Sequence, residues 1–388
     1  MKFKIIVKYF FNLFFVPIWY LQKIIPRSKK VLIFGGWSGL KYADNSKYLF
    51  EYIKSENKEL RCIWLTRNKK ILKKLNHLNI ECYLINSFRG IWFSLISKNF
   101  IICSTKKDIN SYFTNGGKIY QLWHGAPMKK IGLDDNFTKS NSILNIIKKF
   151  VFPFTYEYNY NFTLSTSEIF NDYLCSAFDL NQNQIMKFGY PRNDQYFKNK
   201  KHALVEKIDK NYNNPLKLIF LPTYRKYSIN KIFFNEEFYT LNKFFKKNNV
   251  VLFTKTHFEN NSSTKNYSNI INLDNFNILD LNEVLFEMDV LLTDFSGAYF
   301  DFLLTEKPII FTPFDLTKYV NYERELYFKY DDIVAGPITK NWNEVKEQIS
   351  KLGKSDMFKN SRKLMNHKFN SYNNGNSSKH ICEFILKS

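Results

Sequence analysis

Lys118-Ile119-Tyr120-Gln121-Leu122-Trp123-His124-Gly125-Ala126-Pro127 is a short apolar run that ends on a histidine, a glycine and a proline. A run of this length bounded by turn residues reads as a strand over Lys118–Leu122 that delivers His124 onto a turn. The same pattern repeats on both sides. Val31–Phe34, Arg61–Leu65, Ile80–Ile85, Phe100–Cys103, Asn161–Leu164 and Ile185–Phe188 read as strands, with helices such as Asn45–Lys54, Asn68–Leu78 and Ser167–Phe178 between them. Strands alternating with helices indicate βαβ units and a parallel sheet covered on both faces. The pattern stops over residues 195–215, which are rich in Lys and Asn and read as a linker with a surface helix. It resumes with Leu218–Leu221, Val250–Thr254, Asp289–Thr293 and Ile309–Thr312. The expected fold is therefore α/β, with two Rossmann-type doubly wound domains over residues 29–194 and 216–388. The last helix is free to cross back to the first domain. Ligands of such a pair belong in the cleft between the carboxyl ends of the two sheets.

Bulk properties narrow the partners. Lys and Arg outnumber Asp and Glu by 57 to 35, a net charge of +22, which favours anionic partners. Phe, Lys, Asn, Ile and Tyr all have AT-rich codons and are abundant together, so composition accounts for part of this basicity. A nucleic-acid binder needs a contiguous basic face with interleaved aromatics, whereas the charge here is spread along the chain, and no nucleic acid is expected. Cys62, Cys82, Cys103, Cys175 and Cys382 are scattered and form no C-x-x-C pair, which suits a reducing compartment. Residues 1–28 carry an aromatic-rich apolar run, Tyr9–Leu21, with Lys2, Lys4 and Lys8 before it and Lys23, Arg27, Lys29 and Lys30 after it. The run is short of the roughly 20 apolar residues of a spanning helix and has no small-residue cleavage site. It reads as an amphipathic segment on an anionic membrane surface, and its alternative is a helix packed on the protein's own core. A chain starting near Lys29 is expected to fold.

Five clusters fall at strand ends. His124 and Gly125 place an imidazole that can accept a proton near neutral pH. Thr223 and Arg225, in Leu221-Pro222-Thr223-Tyr224-Arg225, offer a hydroxyl and a guanidinium suited to phosphate oxygens. Thr254-Lys255-Thr256-His257 adds a cation and a second imidazole. Thr293-Asp294-Phe295-Ser296-Gly297 marks a strand-to-helix junction whose free N–H groups favour an anion. Gly189-Tyr190-Pro191-Arg192-Asn193-Asp194 closes the first domain. Each cluster also has a structural reading: a hydrogen-bonded turn histidine, a surface arginine, an N-cap at Asp294 or Ser296, a helix-capping Asp194. Gathered across one cleft, they point to a site for a diphosphate compound.

The combination of WHG, GYPRND, PTYR, KxH and TDFSG resembles the CDP-glycerol glycerophosphotransferase family, whose members build teichoic acids and related capsular polymers. Phe34-Gly35-Gly36 with Tyr42, Asp44 and Asn45 fits as well. So do Asp301-Phe302, Lys307-Pro308-Ile309-Ile310-Phe311, and Arg324–Tyr330 followed by Gly336-Pro337. The similarity runs from about Val31 to the C-terminus. It implies a GT-B-like pair of domains and a reaction without metal or cofactor. His124 becomes the base for an acceptor hydroxyl and His257 its partner on the donor phosphates. Thr223, Arg225, Lys255, Thr293, Ser296 and Gly297 fall near the diphosphate, with Gly125, Arg192, Asn193, Asp194, Asp294 and Asp301 as further cleft candidates. The family often has a second serine where this chain has Gly297. The implied activity moves a polyol phosphate from a CDP-polyol, CDP-glycerol first, to a lipid-linked polymer acceptor at the cytoplasmic membrane face, releasing CMP. A GT-B glycosyltransferase using a UDP- or GDP-sugar shares this architecture and is told apart by the nucleotide it releases. Asp134-Asp135 and Asp331-Asp332 read as loop residues rather than a metal-binding pair.

Overall fold

The computed structural model describes residues 2–137, 142–198, 201–225, 233, 237–255, 267–276, 278 and 280–388, with the side chains of 2–10, 142–144 and 237–239 left aside. Two parallel sheets organise them. The first has seven strands: β1 Ser28–Phe34, β2 Arg61–Thr66, β3 Cys82–Leu84, β4 Ser97–Ile102, β5 Lys118–Gln121, β6 Phe162–Leu164 and β7 Ile185–Met186. Their order is β3-β2-β1-β4-β5-β6-β7. The second has five: β8 Leu216–Leu221, β9 Val250–Thr254, β10 Ile270–Asn272, β11 Val290–Thr293 and β12 Ile309–Phe311, ordered β10-β9-β8-β11-β12. The strand order reverses at β1/β4 and at β8/β11, and such switch points open a crevice at the carboxyl ends of the strands.

Burial on both faces explains why these strands read as continuous apolar runs. In β1, Leu32 and Phe34 pack into one cluster with Trp64 and Ile381, while Ile33 faces Ile63 and Phe100 on the other side. In β8, Leu218 and Phe220 face Trp342, and Ile219 and Leu221 point the opposite way. Ile33 and Ile219 belong to the same apolar cluster, so one core is continuous between the sheets. The eleven strands read from the sequence are all present. β10, which the sequence reading passed over, pairs with β9 at the sheet edge. The last helix, Ser377–Lys387, lies against the first sheet through Ile381, Cys382 and Ile385.

The N-terminal helix, Lys2–Leu21, is docked along one face. Trp19 is buried against Phe154 at 5.6 Å between ring centroids. Buried Asn12 accepts a hydrogen bond from the Tyr112 hydroxyl at 3.0 Å, and Asn115 donates to the Trp19 carbonyl at 2.7 Å. Phe11, Phe14, Tyr20 and Leu21 remain exposed. The helix packs on the protein's own core, and removing residues 1–28 would uncover Phe154 and Tyr112. Among the described residues no helix is long and apolar enough to cross a membrane.

Candidate active site

A cavity of about 550 Å³ lies between the carboxyl ends of the two sheets, lined by His124 and Arg192 from one side and by Thr223, Lys255 and Ser296 from the other. His124 reaches it because the chain turns sharply after β5. The Gln121 side chain accepts from the Trp123 N–H at 2.9 Å, Trp123 takes a left-handed φ of 55°, and Gly125 has φ 152°. Asn45 then donates its side-chain amide to the carbonyls of Leu122 and Trp123, at 3.3 and 2.9 Å. The imidazole Nδ1 sits 3.0 Å from the Cys103 carbonyl oxygen. A carbonyl can only accept, so Nδ1 is assigned the proton and Nε2 the lone pair. Burial lowers the His124 pKa from its ordinary 6.5, against the opposing pull of Asp44. The ring is therefore neutral at neutral pH and suited to take a proton. Trp37 flanks it at 5.2 Å between centroids.

Arg192 ties this turn to the helix that follows β11. One terminal nitrogen donates to Asp44 at 2.7 Å and to the His124 carbonyl at 2.8 Å, and the other donates to Asp301 at 2.5 Å. Burial works against the guanidinium charge, but Asp301 and Asp44 outweigh it and raise the pKa. Asp301, buried with it, has its carboxyl raised by desolvation despite Arg192. Asn193 is buried beside them. Asp194 points elsewhere: it accepts from the N–H groups of Ser377 and Ser378 and from the Ser378 hydroxyl, capping the last helix. Its structural reading is the correct one.

The residues expected near a diphosphate at the second sheet take up different positions. Arg225 does not line the cavity. Its side chain is fully buried and ion-paired with Asp294 at 2.6 Å and Asp315 at 2.7 Å, and it also donates to the Thr223 carbonyl. Phe295 and Tyr319 lie 5.3 and 4.9 Å from the guanidinium. Two carboxylates leave no free edge for a phosphate. Thr293 is buried in the sheet, its hydroxyl donating to the Leu221 carbonyl at 2.9 Å. Asp294 accepts from the Thr223 N–H at 2.9 Å and brackets the two strand ends. Thr223 does face the cavity, and its hydroxyl has no hydrogen-bond partner among the described residues. Ser296 accepts from the Ala298 N–H at 3.3 Å, capping a helix of only five residues, Ala298–Phe302. Gly297 lies against the WHG turn, where an added Cβ would come 3.1 Å from the Ala126 carbonyl oxygen. Lys255 lines the cavity and donates to the Ile278 carbonyl at 3.1 Å. His257 lies outside the described residues.

The cavity also contains cations that motif reading did not assign: Lys41, Lys129 and Arg324. Lys41 sits over the Trp37 ring at 5.0 Å, and Arg324 pairs with Asp135 at 3.2 Å. The WHG cluster was read only to Pro127, two residues short of Lys129.

The sequence model of the CDP-glycerol:poly(glycerophosphate) glycerophosphotransferase family matches residues 18–387. The chain is 25% identical over 382 residues to the teichoic acid glycerol-phosphate transferase of Staphylococcus aureus, covering 93% of this chain and 94% of that one. It is 27% identical over 383 residues to the teichoic acid glycerol-phosphate primase of Bacillus subtilis, covering 94% and 93%. Among solved structures, the wall teichoic acid polymerase TagF aligns with a TM-score of 0.79 at 21% identity, covering 97% of this chain and 93% of that one. At that identity the last likeness speaks to fold alone.

Proposed function

Because the chain belongs to the CDP-glycerol:poly(glycerophosphate) glycerophosphotransferase family, we propose that it moves a polyol phosphate, glycerol phosphate first, from a CDP-polyol to a hydroxyl of a lipid-linked, teichoic-acid-like or capsular acceptor. The observation that carries the reading is His124, whose proton is fixed on Nδ1 by the Cys103 carbonyl at 3.0 Å in a cavity between two sheets. The acceptor oxygen attacks the phosphorus that bears the polyol, and its proton passes to Nε2. The bond from that phosphorus to the CMP oxygen breaks in line, and CMP leaves. Positioning and charge stabilisation are the main contributions a protein makes to such a transfer. Thr223, Lys255, Ser296 and the backbone at Gly297 contact the donor phosphates in this scheme, and His257 keeps the role that the resemblance implies. Arg225 and Thr293 act indirectly, by holding Asp294 and the strand ends that present Thr223.

We assign the two sheets a GT-B-like pairing and place the enzyme on the cytoplasmic face of an anionic membrane. The exposed Phe11, Phe14, Tyr20 and Leu21 support that docking, as do Ile146 and Phe150 beside Lys148 and Lys149 on the helix Ser142–Phe150. Aromatic rings favour the interface, and nearby Lys or Arg favour anionic lipid.

Purified protein given CDP-glycerol, CDP-ribitol, UDP-sugars and GDP-sugars with a lipid-linked acceptor tests the reading. CMP from a CDP-polyol is expected. His124→Ala should cut turnover by about two to four orders of magnitude while donor binding persists. Release of UDP or GDP in place of CMP would hand the site to a glycosyltransferase.

A further inference from the structure

Lys129 is a half-buried cation with no ion pair among the described residues. It sits on a short antiparallel bridge between the domains, opposite Leu326, fixed by the Lys130 N–H to the Glu325 carbonyl at 2.9 Å and the Tyr327 N–H to the Met128 carbonyl at 3.0 Å. Its neighbours are all paired. Lys130 has Glu325 at 2.6 Å, Arg324 has Asp135 at 3.2 Å, and Arg225 holds Asp294 and Asp315. Lys129 lines the cavity, and its Nζ has neither an ion pair nor a hydrogen bond among the described residues. Asp294 attracts it from a distance, Arg324 and Arg225 repel it, and desolvation dominates, so its pKa falls to about 8. It lies close enough to His124 to disfavour protonation of the base. Glu323 and Tyr319 also face this part of the cavity.

A charge partly withdrawn from water in a cleft gains from an anionic partner, and a ligand that enters the cavity can supply one. We infer that Lys129 is a phosphoryl-binding residue, taking the non-bridging oxygens of a phosphoryl group within reach of His124. The inference deepens the proposed transferase reading and rests on it for the identity of the ligand. Two sources carry that chemistry in one reaction, the diphosphate of the donor and a phosphate near the acceptor's attacking hydroxyl.

Calorimetry with CDP-glycerol at pH 8, in two buffers of different ionisation enthalpy, separates the outcomes when combined with acceptor kinetics. Lys129→Met should weaken CDP-glycerol about 10- to 100-fold, the range of a charge-assisted hydrogen bond, without lowering Tm, because no ion pair among the described residues is lost. An unchanged donor Kd with a similarly raised acceptor KM would move the phosphoryl group to the acceptor and keep the site. In wild type, an anion on Lys129 lifts a pKa of about 8, so binding at pH 8 takes up a fraction of a proton. Lys129→Arg keeps the charge but does not titrate there, so it should hold affinity within a few-fold and lose that uptake. Wild-type protein that ignores CDP-glycerol, while Lys129→Met loses affinity for another nucleoside diphosphate, would discard the donor reading and keep the site. Donor Kd and acceptor KM both unchanged in Lys129→Met, or proton uptake retained in Lys129→Arg, would overturn it.

Discussion

Replacing Arg192 with Met tests whether the elements around the two sheets are clasped at the base-bearing turn. The substitution removes the cation between Asp44 and Asp301, whose side chains are 6% and 3% exposed, and takes away the donor to the His124 carbonyl. Leaving a buried charge unpaired costs about 3–5 kcal/mol. With unfolding entropy near 2.1 cal/mol/K per residue, a 388-residue chain loses about 4–6 °C of Tm if it unfolds as one unit, and about twice that if a single domain does. The sign with pH follows from Asp301, whose carboxyl already lies above its ordinary value through burial. A folded pKa above the unfolded one leaves no penalty in acid and a growing one as pH rises through the folded value. Without Arg192 that value rises further, so the Tm deficit should be larger at pH 8 than at pH 5. Restoring neutrality in Asp44→Asn/Arg192→Met/Asp301→Asn should recover part of the loss. Scanning calorimetry at both pH values reads this directly. A deficit below 1 °C at pH 8, or one larger at pH 5, would refute the clasp.

Three further outcomes follow from the geometry. The acid limb of kcat/KM should fall below the ordinary histidine value of 6.5, because burial holds His124 neutral; a limb above 6.5 would exclude it as the base. Gly297→Ser should weaken CDP-glycerol binding, since a Cβ there meets the Ala126 carbonyl oxygen at 3.1 Å and the domains must give by a few tenths of an ångström; equal or tighter binding by calorimetry would show that the cleft accommodates the hydroxyl. A chain starting at Lys29 should fold with lower stability, by about 3 kcal/mol for the lost Trp19 contacts, and sediment less with anionic liposomes than the full chain; unchanged denaturant midpoints would mean that the Trp19–Phe154 packing contributes nothing.

The strands were legible because parallel strands buried on both faces are uninterrupted apolar runs closed by turn residues. β10 escaped because only Ile270 and Ile271 mark it, at a sheet edge between Asn269 and Asn272. His124 could be found for the same reason its strand could: the end of Lys118–Gln121 fixes where it points. The ligands of a phosphate could not be found this way, because a cation's availability depends on which carboxylates the fold brings to it. Arg225 reads as an anion ligand until Asp315, ninety residues away in the chain, arrives at 2.7 Å. Lys129 is one of 57 Lys and Arg residues, and among the described residues it is set apart by its place in the cavity beside the paired Arg324, Lys130 and Arg225. A planar guanidinium can hold two carboxylates at once, which suits Arg192 and Arg225 to joining elements. An ammonium with no ion pair among the described residues joins no elements in this way. The charge most conspicuous in the motifs thus maintains the shape of the cleft, while Lys129 lines the same cavity as Lys41 and Lys255 with no ion pair among the described residues.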